Sequence, residues 1–415
     1  MAFLYVILLL TALVLTKSSL FWLSLWQTKE YRLDRFWAEY GHPKRLAKFW
    51  LFSGGRKFRQ PINTAKSLLI HFVSLAVVGI LMFFLLKIFF GGVLTSYWLL
   101  IISLIILYLL MPLIVSFNVF VFYIPTVVIK RIIYRLAAEK MRQMNDLTVV
   151  GITGSYGKSS TKEFLAQILE KKFNVIKTPE NINSEIGVAK FVLKNVDLMT
   201  CRGRSSAKCR GTTSADIGKT VFIVEMGAYK RGEIKRICDI VKPKIGIITG
   251  INEQHMALFG SVENIKKAKF ELIESLPEDG LAIFSGDNKY CLEMSEAHRG
   301  KRVICHGFGL PFHVSISYRG GEIPHHYLSN IATAVEVARY LGMKDDEIQE
   351  AVASLKLSDR MTKIYSGKNG VTVIEDTYSA NPDGALSAMD YLDGQKQKTK
   401  IVVMPCLIEL GRAAE

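Results

Sequence analysis

Residues 151–160 of this 415-residue chain have the sequence Gly-Ile-Thr-Gly-Ser-Tyr-Gly-Lys-Ser-Ser, which is typical of a loop that binds phosphate groups. A short apolar run precedes the loop and a helical pattern follows it, over residues 161–171. Glycines let backbone N–H groups approach an anion, and the N-terminal end of the following helix favours negative charge. Lys158 would reach the terminal phosphates of a nucleotide, and Ser159 could bind Mg²⁺. The residues predicted to hold the nucleotide in this loop are Gly154, Gly157, Lys158, Ser159 and Ser160.

Six further motifs follow in order along the chain, and together with the phosphate loop they resemble motifs of the Mur ligase family. They are residues 181–187, residues 221–227 with Gly232-Glu233-Ile234, residues 247–255 with Ala268-Lys269, His326 with Asn330, Asp359-Arg360, and residues 376–382. The resemblance spans about residues 147–411 and is closest to the branch of the family that adds D-alanyl-D-alanine. Seven motifs in one order are far more specific than any one of them.

The resemblance implies ATP-dependent amide formation. A substrate carboxylate attacks the γ-phosphate to give an acyl phosphate, and the amine of an amino acid or dipeptide then displaces the phosphate. The implied catalytic residues are Lys158, His255 and Lys269. The implied ligands of two Mg²⁺ ions are Ser159, Glu225, His255 and Lys269, the last as a carbamate formed with CO₂. The resemblance further implies nucleotide contacts by Asn330, Arg360, Asp376, Tyr378 and Asn381, and substrate contacts by Asn181 and Asn183.

Two of these residues also have an ordinary interpretation. Lys269 follows Lys266 and Lys267 in a helical pattern, so it could be a solvated helix lysine. His255 comes after a predicted strand and could be a structural histidine. The family pattern favours the catalytic interpretation of both.

The first 146 residues have the composition of a membrane-associated segment. They contain 17 Lys and Arg against 5 Asp and Glu, a net charge of +12 out of +16 for the whole chain. A membrane-spanning helix needs about 20 apolar residues. We therefore expect spans at residues 3–26, 68–90 and 96–118. The first could instead be a cleavable signal peptide, but no small-residue cleavage site is visible and we favour an uncleaved anchor.

The loop 27–67 between the first two spans contains ten Lys and Arg and three acidic residues. The positive-inside rule places this loop, and the large C-terminal body, in the cytoplasm. The Trp and Phe residues among its basic residues predict contact with an anionic membrane surface, although a merely solvated basic loop is the alternative. Since membrane flanks account for most of the charge, a nucleic-acid partner is not expected. The predicted location is the cell membrane, with several spans.

The predicted fold class is α/β. Transmembrane helices would lead to a phosphate-loop ATPase domain with a mainly parallel sheet, and then to a Rossmann-like C-terminal domain. The expected limits are a membrane region at 1–128, a basic linker helix at 129–146, a central ATP-binding domain at 147–358, and a C-terminal domain at 359–415. The last has only about 57 residues, whereas such a domain generally needs 100 or more. Either the chain is truncated or this domain is reduced, and we expect truncation.

The predicted membrane region occupies the N-terminal position at which the related ligases have a domain that binds a uridine nucleotide. This favours a lipid-linked or polymeric cell-wall precursor as the acceptor. Two alternatives remain: a poly-γ-glutamate synthetase of the same ligase type, and a non-catalytic nucleotide-binding scaffold in the membrane. A further departure lies at Pro405-Cys406, where the family usually has Gly-Asp.

Overall fold

The structure is a computed structural model that describes residues 2–40, 60–90, 97–144, 146–199, 219–305, 325–356, 363–376, 382–395 and 399–404. The chain divides into two compact units, Met1–Lys130 and Arg131–Glu415.

The three long helices of the first unit form on long apolar runs of sequence, and the third of them contains Pro112. Its described helices are Ala2–Thr28, Leu33–Tyr40, Ala65–Phe90 and Tyr97–Val121, and the helix Tyr123–Arg142 begins in this unit. Within the described residues, three segments are long and apolar enough to cross a membrane, namely Tyr5–Thr28, Ala65–Phe90 and Trp98–Arg142. The predicted spans 3–26, 68–90 and 96–118 fall on these helices, and membrane insertion itself stays a prediction.

Polar side chains connect the long helices of the first unit to one another. Asn118 Nδ2 donates to Ser74 Oγ at 3.0 Å, and both residues are buried. Trp26 Nε1 donates to Ser116 Oγ at 3.0 Å. Many large apolar side chains of the same helices are exposed, for example Phe117 at 66%. The three long helices are thus joined by interhelical hydrogen bonds, while their outer surfaces remain apolar.

The second unit is built on a six-stranded sheet in which every pair of neighbours is parallel. The strands are β1 (Leu147–Thr153), β2 (Asn174–Lys177), β3 (Thr220–Glu225), β4 (Ile245–Ile248), β5 (Leu281–Ser285) and β6 (Arg302–Cys305). Their order across the sheet is β2-β3-β1-β4-β5-β6, so β1 lies between β3 and β4. This arrangement brings the carboxyl ends of these three strands to the same edge.

Both faces of the sheet are covered by helices because the strands are apolar at nearly every position. Val150 and Ile152 pack against the helices Lys158–Leu169, His325–Tyr340 and Asp345–Ala353. Val149, which points to the opposite face, packs with the other helices of the unit. Those helices are Glu185–Met199, Glu233–Val241, Val262–Glu274 and Lys289–Ala297, and the short helix Met256–Phe259 precedes the third of them.

The helix Tyr123–Arg142 covers most of the predicted basic linker 129–146. Its last turns belong to the second unit, where Ala137 and Met141 are buried in the same apolar cluster as Val188 and Val192. The end of the linker helix is therefore part of the core of the second unit.

The described C-terminal residues contain an antiparallel pair, β7 (Lys363–Ser366) and β8 (Thr372–Glu375), with a 3-10 turn at Lys368–Gly370 and a helix at Pro382–Asp393. The predicted phosphate-loop α/β architecture is confirmed for the central residues. The Rossmann-like arrangement and the predicted domain limits stay predictions.

Candidate functional site

The phosphate loop follows β1 at the edge where β3 and β4 also end. Gly154 has a φ of 154° and Gly157 a φ of 78°, values that side chains of L-residues rarely allow. A Cβ on Gly154 would lie 2.2 Å from Thr249 Oγ1, and one on Gly157 would lie 3.0 Å from Asn330 Oδ1. Both glycines are therefore required by the local geometry. The same distances bring Asn330, a predicted nucleotide-binding residue, directly against the loop.

Several contacts fix the loop to β4 and β5, and the sequence did not predict the residues that make them. Thr249 Oγ1 donates to the carbonyl oxygen of Tyr156, and Ser155 N donates to Gly250 O at 2.7 Å. Asn288 Nδ2 donates to the Tyr156 hydroxyl at 3.1 Å. The Tyr156 ring packs so closely on Gly250 that a Cβ there would lie 2.4 Å from the ring. A glycine two residues after an apolar strand, as at 250, is the one signal in the sequence that indicates such close packing.

Lys158 begins the helix Lys158–Leu169 and folds back over the loop. Its Nζ donates to Gly154 O at 2.7 Å and to Ser155 O at 3.2 Å. Burial lowers the pKa of Lys158, while the nearby Glu225 carboxylate acts in the opposite direction. The ammonium is thus held by neutral carbonyl oxygens, which a phosphate group can replace as hydrogen-bond acceptors.

The Glu225 carboxylate, at the end of β3, is the centre of a buried polar cluster. Its Oε2 accepts hydrogen bonds from Ser159 Oγ and from Lys162 Nζ, each at 3.0 Å. Its Oε1 accepts a hydrogen bond from Asn183 Nδ2 at 3.2 Å. Burial alone would raise the pKa of Glu225, but the positive charges of Lys162 and Lys158 outweigh it, and the pKa is lowered. The cluster brings together three predicted site residues, namely Ser159, Glu225 and Asn183.

Lys162 is the residue of this cluster that no sequence motif indicated. Its side chain is completely buried, at 0% relative exposure. The signal was present, because Lys162 follows Lys158 by four residues and so lies on the same side of the helix. Helical spacing alone does not distinguish a buried lysine from a solvated one, so only the structure assigns it.

His255 precedes the helix Met256–Phe259 with a left-handed backbone conformation, φ 65°. Its ring makes an edge-to-face contact with Tyr229, with a centroid distance of 4.9 Å. Tyr229 N in turn donates to Glu233 Oε2 at 2.7 Å. The histidine is therefore oriented by the segment that follows β3, which also contains the Gly232-Glu233-Ile234 motif.

Lys269 is buried in the helix Val262–Glu274, with 3% relative exposure. Burial is the main cause that lowers its pKa, to about 7, and the charge of Lys158 lowers it further, while Glu233 and Glu271 act in the opposite direction. The solvated interpretation of Lys269 does not fit this burial. At neutral pH a large fraction of such an amine is uncharged, which is the form that reacts with CO₂.

The donor atoms fit the Mg²⁺ ion that the family implies. The Ser159 hydroxyl and the Glu225 carboxylate are hard oxygen donors 3.0 Å apart, of the kind that Mg²⁺ prefers. Within the described ranges, no group of three or more His, Cys, Asp or Glu side chains could hold a metal ion. This is compatible with Mg²⁺, which usually keeps few protein ligands and binds phosphate oxygens and water as well.

The remaining predicted residues lie in other described segments or outside the described part. Ser160 is in the first turn of the helix Lys158–Leu169, and Asn181 is in the turn before Asn183, with a φ of 63°. Asp376 follows β8, and burial raises the pKa of its carboxyl group. The predicted nucleotide contacts Arg360, Tyr378 and Asn381 fall outside the described residues, as does Pro405-Cys406.

Comparisons with known proteins show what this chain is similar to. Residues 152–326 match the Mur ligase middle domain. A UDP-N-acetylmuramoyl-tripeptide–D-alanyl-D-alanine ligase of Synechocystis sp. is 30% identical over 289 residues, which are 67% of this chain and 59% of that protein. MurF ligase of Thermotoga maritima, solved in complex with ADP, is 26% identical with a TM-score of 0.51, over 63% of this chain and 60% of that chain.

A second solved structure, MurF of Acinetobacter baumannii, shares the fold with a TM-score of 0.57 at 24% identity, over 69% of this chain and 62% of that chain. The chain thus spans about three fifths of the length of the relatives it matches. The resemblance to the Mur family predicted from the sequence is confirmed.

Proposed function

From the Mur ligase middle domain that residues 152–326 form, we propose that this chain is an ATP-dependent ligase that makes an amide bond in cell-wall synthesis. A carboxylate of the cell-wall precursor attacks the γ-phosphorus of ATP, and ADP leaves as an acyl phosphate forms. The amine of the incoming amino acid or dipeptide then attacks the acyl carbon, and phosphate leaves as the amide forms. The observation that carries the proposal is the convergence of Lys158, Ser159 and Glu225 beside the phosphate loop.

Binding and positive charge are what this chain's own residues supply to that reaction. Backbone N–H groups at the start of the helix Lys158–Leu169 would bind the phosphates, and the helix dipole would favour their negative charge. Lys158 would exchange its two carbonyl acceptors for the γ-phosphate and so stabilise charge that develops during transfer. Asn330, which lies against Gly157, is close enough to the loop to contact the nucleotide.

Ser159 and Glu225 would hold one Mg²⁺, and His255 with the carbamate of Lys269 would hold a second. When bound, Mg²⁺ neutralises phosphate charge and orients the γ-phosphate for attack. The burial and low pKa of Lys269 support the carbamate, because only the uncharged amine adds CO₂. Asn183 supports the first site, since it holds the other oxygen of Glu225.

The substrates follow from the names of the relatives and from the first unit. The Synechocystis relative is named for the ligation of D-alanyl-D-alanine to a UDP-N-acetylmuramoyl-tripeptide, and we propose a D-alanyl-D-alanine-type dipeptide as the amine here. We also propose that the three long apolar helices anchor the chain in the cell membrane, with its catalytic unit in the cytoplasm and its basic residues against anionic lipid. The acceptor would then be a membrane-bound, lipid-linked precursor.

The proposal is tested by measuring ADP release from the full chain in lipid nanodiscs with a panel of acceptors. The panel contains UDP-N-acetylmuramoyl-tripeptide, its lipid-linked counterpart and glutamate, each with and without D-alanyl-D-alanine. We expect turnover that requires both the precursor and the dipeptide, and that is faster with the lipid-linked form. Efficient turnover of the soluble precursor would contradict the proposal of a lipid-linked acceptor. Turnover with glutamate alone would favour a poly-γ-glutamate synthetase.

Two lysine variants separate catalysis from a scaffolding role. Lys158→Ala removes the predicted phosphate contact and is expected to reduce turnover by about 10²-fold or more. Lys172→Met is the matched control, because it removes a lysine of the same unit whose Nζ pairs with Glu347 Oε2 at 3.0 Å, away from the loop. If Lys158→Ala complements a ligase-deficient cell as well as the control does, the chain is a scaffold and the ligase proposal is wrong.

A further inference from the structure

The ion pair between Lys162 and Glu225 lies in an unusual place for a structural salt bridge. Both side chains are buried, at 0% and 5% relative exposure, and Nζ lies 3.0 Å from Oε2. The same Oε2 accepts the hydroxyl of Ser159, so the lysine contacts the oxygen that is a candidate metal ligand. Since Asn183 donates to the other oxygen, the carboxylate has donors on both sides before any metal arrives.

We propose that Lys162 is a positioning residue that fixes the Glu225 carboxylate and keeps the affinity of this site for a divalent cation low until a nucleotide supplies negative charge. This inference rests on the proposed function, in that it takes Ser159 and Glu225 as the first metal site.

The cluster around Glu225 has no excess of negative charge to attract a cation. The Glu225 carboxylate carries one negative charge, the Lys162 ammonium carries one positive charge, and Ser159 and Asn183 are neutral. Lys158 adds positive charge nearby. A divalent cation at Oε2 therefore meets a site without net negative charge and a fixed ammonium that contacts the same oxygen. Repulsion at this short range is strong in a buried site because little water screens it.

A bound nucleotide changes this balance. Its phosphates bring several negative charges to the loop, and these attract the cation more strongly than the positive charges of Lys162 and Lys158 repel it. The metal is then expected to bind with the nucleotide rather than before it. Without Lys162, Glu225 would be a buried carboxylate lacking its ion-pair partner, and a divalent cation would be its natural replacement.

A purely structural role for Lys162 predicts a different outcome. In that case its removal would lower the stability of the fold but would leave the affinity for the cation unchanged. The discriminating quantity is therefore metal affinity in the absence of nucleotide, which requires no turnover. The result can be interpreted even if the chain proves to have no ligase activity.

The experiment titrates the full chain in nanodiscs with Mn²⁺ alone and follows free Mn²⁺ by electron paramagnetic resonance. We expect Lys162→Met to bind Mn²⁺ about tenfold or more tighter than the unchanged chain, because the repelling charge is gone. In the presence of the non-hydrolysable analogue AMP-PNP the difference is expected to shrink. Lys172→Met, which removes an equal charge elsewhere in the unit, should bind Mn²⁺ as the unchanged chain does.

Two further variants keep the test decisive. Lys162→Gln retains a hydrogen-bond donor to Glu225 without the charge, and is the substitute if Lys162→Met does not fold. Adding Glu225→Gln to either variant should abolish the gain in affinity, which locates the gained Mn²⁺ at this carboxylate. Unchanged Mn²⁺ affinity in a folded Lys162 variant would overturn the proposal, and so would a gain that persists in the double variant.

Discussion

Replacement of Lys269 by Met should change how the stability of the protein depends on pH. The lysine is buried, and its pKa of about 7 lies far below the ordinary 10.5. An unfolded lysine keeps its proton up to about pH 10, whereas the folded one has lost it above about pH 7. Between about pH 7 and pH 10, unfolding therefore takes up a proton. The free energy of unfolding consequently rises with pH in this range.

The size of the effect follows from the two pKa values. Each pKa unit corresponds to about 1.4 kcal/mol. At pH 6 the lysine is largely protonated in both the folded and the unfolded state, and its burial costs about 5 kcal/mol. At pH 9 the lysine is protonated only in the unfolded state, and its burial costs about 2 kcal/mol. The difference in unfolding free energy between Lys269→Met and the unchanged chain should thus shift by about 3 kcal/mol between these pH values, with the variant favoured most at pH 6.

The assay is chemical unfolding of the full chain in detergent at pH 6 and pH 9, in buffer depleted of CO₂ so that the amine stays unmodified. Lys267→Met is the matched control, since Lys267 lies on the same helix with its side chain 53% exposed. The difference in unfolding free energy between Lys267→Met and the unchanged chain should be the same at the two pH values. A shift below about 1 kcal/mol for Lys269→Met would refute the reasoning that burial depresses this pKa.

Three further changes test contacts described above. Gly250→Ala would place a Cβ 2.4 Å from the Tyr156 ring. The variant should therefore bind ATP analogues at least about tenfold more weakly, as measured by calorimetry. Adding Tyr156→Ser to the same chain should recover most of the lost affinity. Thr249→Val removes the hydroxyl that donates to the Tyr156 carbonyl oxygen and should lower the unfolding free energy by about 1–2 kcal/mol. No change would mean that this hydrogen bond does not stabilise the loop. Asn118→Leu removes the donor to Ser74 and should destabilise the first unit by about 1 kcal/mol in detergent, with a double-mutant cycle including Ser74→Ala checking that this contact is responsible.

Much of the central fold was predictable because its signals are local. The apolar run before Gly151 and the glycines at 154 and 157 predict a strand, a phosphate loop and a helix, and the structure has them as Leu147–Thr153, the loop and Lys158–Leu169. Continuous apolar strands predict a sheet covered on both faces, which is what the parallel order β2-β3-β1-β4-β5-β6 provides. The long apolar helices of the first unit were likewise visible as uncharged runs.

The sequence alone therefore determined which residues could bind phosphate. It also determined where the long apolar helices and the strand, loop and helix of the phosphate site lie, since these depend on residue type and short-range spacing. Only the tertiary structure decided that Ser159, Asn183 and Lys162 meet at Glu225, because they are brought together by parallel strand pairing over as many as 66 residues of sequence. It also decided that Lys269 is buried while Lys267 is half-exposed, although the two are separated by one residue. Burial depends on what packs against each face of a helix, and that is fixed by contacts distant in sequence.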